Sequence, residues 1–456
     1  MKKFAKFLLS LVLVSAVLLS PLTVSAVEFD PGLELHSAGA VLVSLDTGDT
    51  VFAKEGDTRM EPASVTKIIV ALLLMENVHN LPETTVTAPD YVFDLLAGTN
   101  SSVSGIRRGE TLTAEQLLYC LLVPSGNDAA MVIADYLGNG NISAFVDMMN
   151  RRAQEIGCTN THFANPHGLH DPNHYTTPND MAKITQYILN SQYKDEFMKV
   201  CKTTSYSLAP DDKRDTVLTL NTTNNMQLSS SKYYYKYTEG IKTGSTEEAG
   251  FCLVSTAYNA NVDARYLCVT FGAPMFDENG EYADNGAMMD HKALYEWAFN
   301  NLRYKQVVSA KQTACEIKLN YAWEKDTIQL LPESDFNALL LNDIQPESVV
   351  LLPNDDVPES VDAPVQKGQR LGTANVTYAG MTLGTVNLVA SESVEASQLL
   401  LLKERGLRLL HSKWLKIGGV VFAVLLVIYI VISVVYNVRA KKRRRRHSSL
   451  NGRGRY

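Results

Sequence analysis

The sequence predicts an α/β chain in three parts: one sheet with helices on both faces, a small all-β domain after it, and a C-terminal apolar helix. Three observations carry this. A hairpin-like stretch at 40–53 and short β runs at 240–244, 250–257 and 265–271 bracket a helical middle, so the two ends of the first domain must meet in one sheet. After Tyr304 the texture changes to strand-like runs with little helix. Ile417 to Val438 is an apolar run long enough to cross a bilayer.

The first domain opens with strands at 40–43 and 50–53, joined through the turn Asp46-Thr47-Gly48. Pro62 suits a helix entry, where its missing N–H has no partner to lose. Ile68 to Met75 is apolar on every side, which predicts a helix buried in the middle of the domain. Residues 80–109 are irregular, punctuated by Gly, Ser and Asn. Thr113 and Gln116 make a capping box for a helix through Leu117, Leu118, Leu121 and Leu122, which Pro124 ends. Ser125-Gly126-Asn127 is then a tight turn between helices, with Asp128 as the N-terminal acid of the second. Amphipathic helices follow at 145–156 and 178–189, then the three strands, then a helix over 288–302.

Residues 306–394 hold strand-like runs at 315–319, 327–331, 348–352, 370–378 and 381–389. Residues 395–416 mix leucines with charges, as expected of an amphipathic stalk on a membrane surface or of the span's helix continued. Residues 1–26 read as a secretory signal: Lys2, Lys3 and Lys6, an apolar stretch from Leu8 to Leu19, and Val24-Ser25-Ala26 as cleavage site. The span 417–438 runs into the basic segment 439–456, which stays in the cytoplasm. The expected protein is therefore single-pass in the cell membrane, with the 30–304 and 306–394 domains outside.

Of 456 residues, 46% are hydrophobic and 20% charged, so the chain is long enough for two or three folded domains. Its formal charge of −7 hides an asymmetry. Without the three signal lysines and the nine basic residues after Val438, 30 basic residues face 49 acidic ones, a balance of −19. So acidic an exported part argues against nucleic acid as partner. The tail can lie on anionic head groups, though a topology anchor is its simpler role. The six cysteines lie in the exported part, where disulfides are permitted, and no C-x-x-C spacing suggests a metal cluster. Cys252 and Cys268 sit on consecutive strands with a turn near Ala260, so they either face each other or remain buried thiols.

Chemistry concentrates in three short segments. Ser64 and Lys67, three apart, share one face of a first helical turn. A hydroxyl there lies at the positive end of the helix dipole, and an amine held beside it in a dry site has a lowered pKa and can take its proton. Ser125-Gly126-Asn127 forms the inter-helix turn, and Lys242-Thr243-Gly244 lies on a strand. Each alone is weak; all three in this order in an exported chain are specific. On these residues the sequence resembles the serine-acylated penicillin-binding proteins, and among them the low-molecular-mass D-alanyl-D-alanine carboxypeptidases. Phe163 to Leu169, His174-Tyr175-Thr176-Thr177, Gly240-Ile241 and Ala363 to Gln369 extend the likeness.

The resemblance implies a β-lactamase/transpeptidase-like antiparallel sheet flanked by helices, and chemistry without cofactor or metal. It implies a peptidoglycan stem peptide ending in D-Ala-D-Ala as substrate and β-lactams as covalent inhibitors. Ser64 is then the nucleophile, Lys67 its base and Ser125 the proton relay. Asn127, Lys242, Thr243, Gly244, Ser245 and Thr246 bind substrate, with the N–H groups of Ser64 and Ser245 as oxyanion hole. Two departures stand out: Ser245 takes the place of a histidine found in some members, and the loop Gly272 to Asn285 has no arginine. Two other readings share these motifs. A β-lactamase usually carries a Glu-x-x-Leu-Asn type loop, and none occurs between Asn127 and Lys242. A non-catalytic sensor or scaffold would bind wall fragments or antibiotic. His167, His170 and His174 match no helical zinc motif and read as a structural loop.

Overall fold

The computed structural model describes residues 29–99 and 101–450; the signal reading at 1–26 and the end of the basic tail lie outside them. The chain divides into two compact units. One holds the chain up to Val307 with Asn337–Val349 and Thr377–Gly384; the other holds Val308–Phe336, Val350–Val376 and the chain from Thr385.

The first unit is built on five antiparallel strands: β1 (Gly39–Ser44), β2 (Thr50–Lys54), β3 (Thr238–Thr246), β4 (Gly250–Asn259) and β5 (Ala264–Ala273). Their order is β2-β1-β5-β4-β3, so the N-terminal hairpin pairs with the last strand and β3 is an edge. Fully buried strands read as apolar runs, which is why β4 and β5 were visible in the sequence. One face of the sheet meets the cluster around helix α1 (Lys67–Asn77), in which Lys67 to Met75 are all buried. Helices α2 (Ala114–Leu122), α3 (Asn127–Leu137), α4 (Ile142–Ile156), α5 (Pro178–Leu189) and α6 (Lys194–Cys201) surround it. The other face meets helix α7 (Gly286–Asn301) through Leu294, Tyr295 and Ala298. The Thr113 side chain caps α2 in the expected box with Gln116.

The β4–β5 hairpin decides between the two cysteine readings, in favour of buried thiols. Asn259 pairs with Ala264, so the turn centres on Asn261 and Val262, and Cys268 lies opposite Ser255. The register differs by three from one centred at Ala260. An odd shift sends the side chains to opposite faces. Cys252 packs with the α1 cluster and Cys268 with the α7 cluster, and both are free thiols.

The second unit carries a six-stranded sheet with the order Val350–Pro353, Arg370–Tyr378, Met381–Ala390, Thr327–Pro332, Cys315–Asn320 and Ser360–Asp362. Ile317, Ile328, Leu330, Val376 and Leu388 are buried in it. Two helices follow, Gln398–His411 and Lys413–Leu450. Lys413–Arg443 is, among the described residues, the one helix long and apolar enough to cross a membrane.

Candidate active site

Ser64 stands on a 3-10 turn, Ala63–Thr66, that leads into α1 at Lys67, and not in the first α-turn as the sequence suggested. In that tighter helix residues three apart eclipse one another. The Lys67 Nζ accordingly lies 2.7 Å from the Ser64 Oγ. The turn is held from beneath. His174 Nδ1 accepts the Ala164 N–H at 3.0 Å, so its Nε2 carries the proton and donates to Thr66 Oγ1 at 2.8 Å. Thr66 in turn donates to the Ala63 carbonyl at 2.8 Å. Burial pushes the His174 imidazole down to about 4, in keeping with this neutral tautomer.

Lys67 is fully buried. Its amine also meets Asn127 Oδ1 at 2.6 Å, the His167 carbonyl at 3.0 Å and Ser125 Oγ at 3.5 Å. Burial holds its pKa well below the usual lysine value. The Lys242 charge lowers it further, and Asp128 opposes the shift. Ser125 has φ of +64°, a left-handed conformation uncommon for a residue with a side chain. It is what turns the chain between α2 and α3, so that Ser125 and Asn127 both reach the Lys67 amine.

Lys242 is also buried, on edge strand β3, and burial brings its pKa down to about 7. Its one hydrogen bond among the described residues goes to the Thr243 carbonyl, at 2.8 Å. Gly244 lets β3 run against the turn that carries Ser64. A Cβ there would lie 3.0 Å from the backbone nitrogen of Ser64. Gly168, at φ +86°, lets the loop after His167 pass the same turn; a Cβ would collide with the Ala63 carbonyl at 1.9 Å. These segments enclose a cleft of about 700 Å³, with Ser64, Ser125, Asn127, Thr243 and Ser245 in its wall.

The residues match a profile described as D-alanyl-D-alanine carboxypeptidase over 24–275, more than half of the chain. The chain belongs to that family of serine peptidases. Residues 303–396 match the C-terminal domain of penicillin-binding protein 5. A D-alanyl-D-alanine carboxypeptidase, DacF, of Bacillus subtilis is 29% identical over 368 residues, covering 79% of this chain and 86% of its own. DacA of Haemophilus influenzae is 28% identical, over 83% and 91%. Among solved structures, penicillin-binding protein 5 of Haemophilus influenzae superposes with a TM-score of 0.60 at 24% identity, covering 80% of this chain and 98% of its own. The Streptomyces K15 DD-transpeptidase gives 0.52 at 26% identity, over 59% and 98%. The α+β fold with a C-terminal β domain is thus that of penicillin-binding protein 5.

Within this D-alanyl-D-alanine carboxypeptidase, all three motif segments line one site. Gly244, Ser245 and Thr246 are in the cleft wall, whereas Lys242, two residues before Gly244 on the same strand, is buried. No arginine lines the cleft among the described residues. Sequence reasoning missed the His167 carbonyl, because a backbone acceptor has no side-chain signal. It also missed Thr223, whose hydroxyl meets that of Thr243 at 2.5 Å. His167, His170 and His174 separate: His167 is neutral, pushed down to about 3 by burial and then by Lys67, and lends its carbonyl. His170 pairs with Glu61 at 2.8 Å, and His174 supports Thr66.

Proposed function

We propose that Ser64 is the acylated nucleophile of a serine-type D-Ala-D-Ala carboxypeptidase and Lys67 its base. The observation that carries this is the set of contacts on the Lys67 amine. A neutral amine has two N–H groups and one lone pair. The Asn127 and His167 carbonyl oxygens, at 2.6 and 3.0 Å, accept the two N–H groups, which leaves the lone pair for the Ser64 hydroxyl at 2.7 Å. Burial favours that neutral form.

The stem peptide would add to the free edge of β3. Its terminal carboxylate meets Lys242, Thr243 and Thr246, and Asn127 holds an amide through its free N–H₂. Lys67 takes the Ser64 proton as the oxygen bonds to the penultimate D-alanine carbonyl carbon. The resulting oxyanion is met by the N–H groups of Ser64 and Ser245. When the C–N bond breaks, Ser125 gives its proton to the departing amine and recovers one from Lys67. Terminal D-alanine leaves, and water then cleaves the ester and restores Ser64. β-Lactams enter by the same attack and remain as esters.

The localisation follows the same reading. We place residues 30–304 and 306–394 outside the cell, 395–416 as a stalk, 417–438 in the membrane and the basic tail inside; the Lys413–Arg443 helix supports this. The test is D-alanine release from a stem pentapeptide by the full chain in detergent. Release abolished in Ser64→Ala supports the reading. Binding of penicillin without release would indicate a sensor, and rapid penicillin turnover a β-lactamase.

A further inference from the structure

A helix N-terminal acid ordinarily satisfies its own helix, and the sequence reading gave Asp128 no more than that. In the structure Asp128 is 1% exposed, and its carboxylate receives most of its hydrogen bonds from another segment. Oδ1 accepts from the Ser104 N–H at 2.8 Å, the Ser104 hydroxyl at 2.9 Å and the Ala129 N–H at 2.9 Å. Oδ2 accepts from the N–H groups of Gly105 at 2.9 Å and Ile106 at 3.0 Å. Three consecutive backbone N–H groups around one anion form a nest. Gly105, at φ +97°, allows the chain to wrap in this way. Gly126 leaves the carboxylate room, since a Cβ there would come within 2.5 Å of Oδ1.

We propose that Asp128 is a positioning residue of this site, fastening the loop Ser104–Ile106 to the start of α3 and so holding Asn127 against the Lys67 amine; this rests on the roles given above to Ser64 and Lys67. The fastened loop continues into the cleft wall at Ser101 and Ser102. The Ser102 carbonyl accepts the Asn127 N–H at 2.8 Å, and the Ser102 hydroxyl donates to the Pro124 carbonyl at 3.0 Å. The turn bearing Ser125 and Asn127 is therefore gripped through the loop that Asp128 secures. On the loop's far side the buried Arg214 guanidinium donates to the Gly105 carbonyl at 3.1 Å and pairs with Glu110 at 2.6 Å.

Asp128 also has an electrostatic part. Lys67 faces it on one side, the Glu110–Arg214 pair packs on the loop it holds, and the Cys120 thiol, pushed up to about 12 mainly by burial, faces it from α2. His167 and His174, beyond Lys67, are neutral. Asp128 is thus the anion that opposes the effect of Lys242 on Lys67.

The experiment measures penicillin acylation of the full-length protein across pH, per titratable active site, with thermal unfolding of each variant. Asp128→Asn turns one acceptor oxygen into a donor facing N–H groups. It should slow acylation about tenfold or more, with the acid limb of the profile moved to lower pH because the opposing charge is gone. Asp128→Glu keeps the charge but displaces it; acylation should slow while the acid limb stays at its wild-type pH. Ser104→Ala removes one bond and no charge, and should slow acylation about two- to threefold with the limb unchanged. Wild-type rate and limb in Asp128→Asn would overturn the proposal. Should that variant not fold, wild-type rates in both Asp128→Glu and Ser104→Ala would overturn it. Penicillin failing to label Ser64 in the unmutated protein would instead overturn the reading on which the proposal rests.

Discussion

Lys67 and Lys242 are both buried amines at one cleft, yet their surroundings differ in kind. Lys67 is ringed by Ser64, Asn127, the His167 carbonyl and, farther off, Ser125. Lys242 has one hydrogen bond among the described residues, to the carbonyl of the next residue. The first amine can be neutral and fully satisfied, with its lone pair on a hydroxyl. The second has donors to spare and awaits an acceptor, which a peptide carboxylate supplies. On the proposed reading the same residue type at the same depth serves as a base in one case and as a charge in the other. The difference lies in the number of acceptors the fold brings to each.

The largest effect is expected at Lys67. Lys67→Ala should slow acylation by penicillin about 10²- to 10⁴-fold, the usual range for a lost general base. Lys67→Arg should do no better, since a guanidinium does not deprotonate. Stopped-flow acylation of the two variants checks this, and near-wild-type rates in Lys67→Arg would contradict a base role.

Lys242→Ala should lower kcat/KM for a pentapeptide about 10- to 100-fold, the cost of one charged hydrogen bond. For the same peptide with an amidated C-terminus, wild type and variant should converge. The pH dependence has a definite sign. In its proposed role Lys242 binds the carboxylate only when protonated, so kcat/KM should fall as pH rises through about 7 in the free protein. A bound carboxylate raises that pKa, so the alkaline limb of kcat lies higher. Identical limbs for kcat and kcat/KM would contradict the assignment.

His174 supports the Lys67 side from below. Its folded pKa, about 4, lies below the free value, so the neutral form is the one the fold prefers. Its contribution to stability is complete above pH 6.5 and is lost as pH falls toward 4. His174→Gln should cost about 1–2 kcal/mol at neutral pH and flatten part of that acid-side loss, as read by denaturant unfolding at several pH values. The smallest expected effect is none: with Cys252 and Cys268 on opposite faces, a reductant should leave Tm unchanged.

Much of the architecture was legible in the sequence. Ile68 to Met75 announces a buried helix, the Thr113–Gln116 box announces another, and the apolar runs 250–257 and 265–271 announce interior strands. The strand pair Leu302–Val308 and Phe336–Leu341 was not read, because each strand is short and its partner distant in sequence. Whether Cys252 and Cys268 face each other was left open by the sequence, because register decides it and an odd shift in turn length inverts the faces; the structure gives buried thiols. At the site, side chains in short motifs were visible. The His167 carbonyl, the Thr223 hydroxyl and the four bonds from Ser104–Ile106 to Asp128 were not, because each depends on chain segments meeting far along the sequence.

Acylation at Ser64, with Lys67 as its base, is the step on which the proposed function rests. Peptide mass spectrometry of the full chain after brief exposure to penicillin tests it most directly. One adduct is expected, on the peptide containing Ser64, absent from Ser64→Ala and much reduced in Lys67→Ala. An adduct on any other residue, or undiminished labelling of Ser64→Ala, would contradict it.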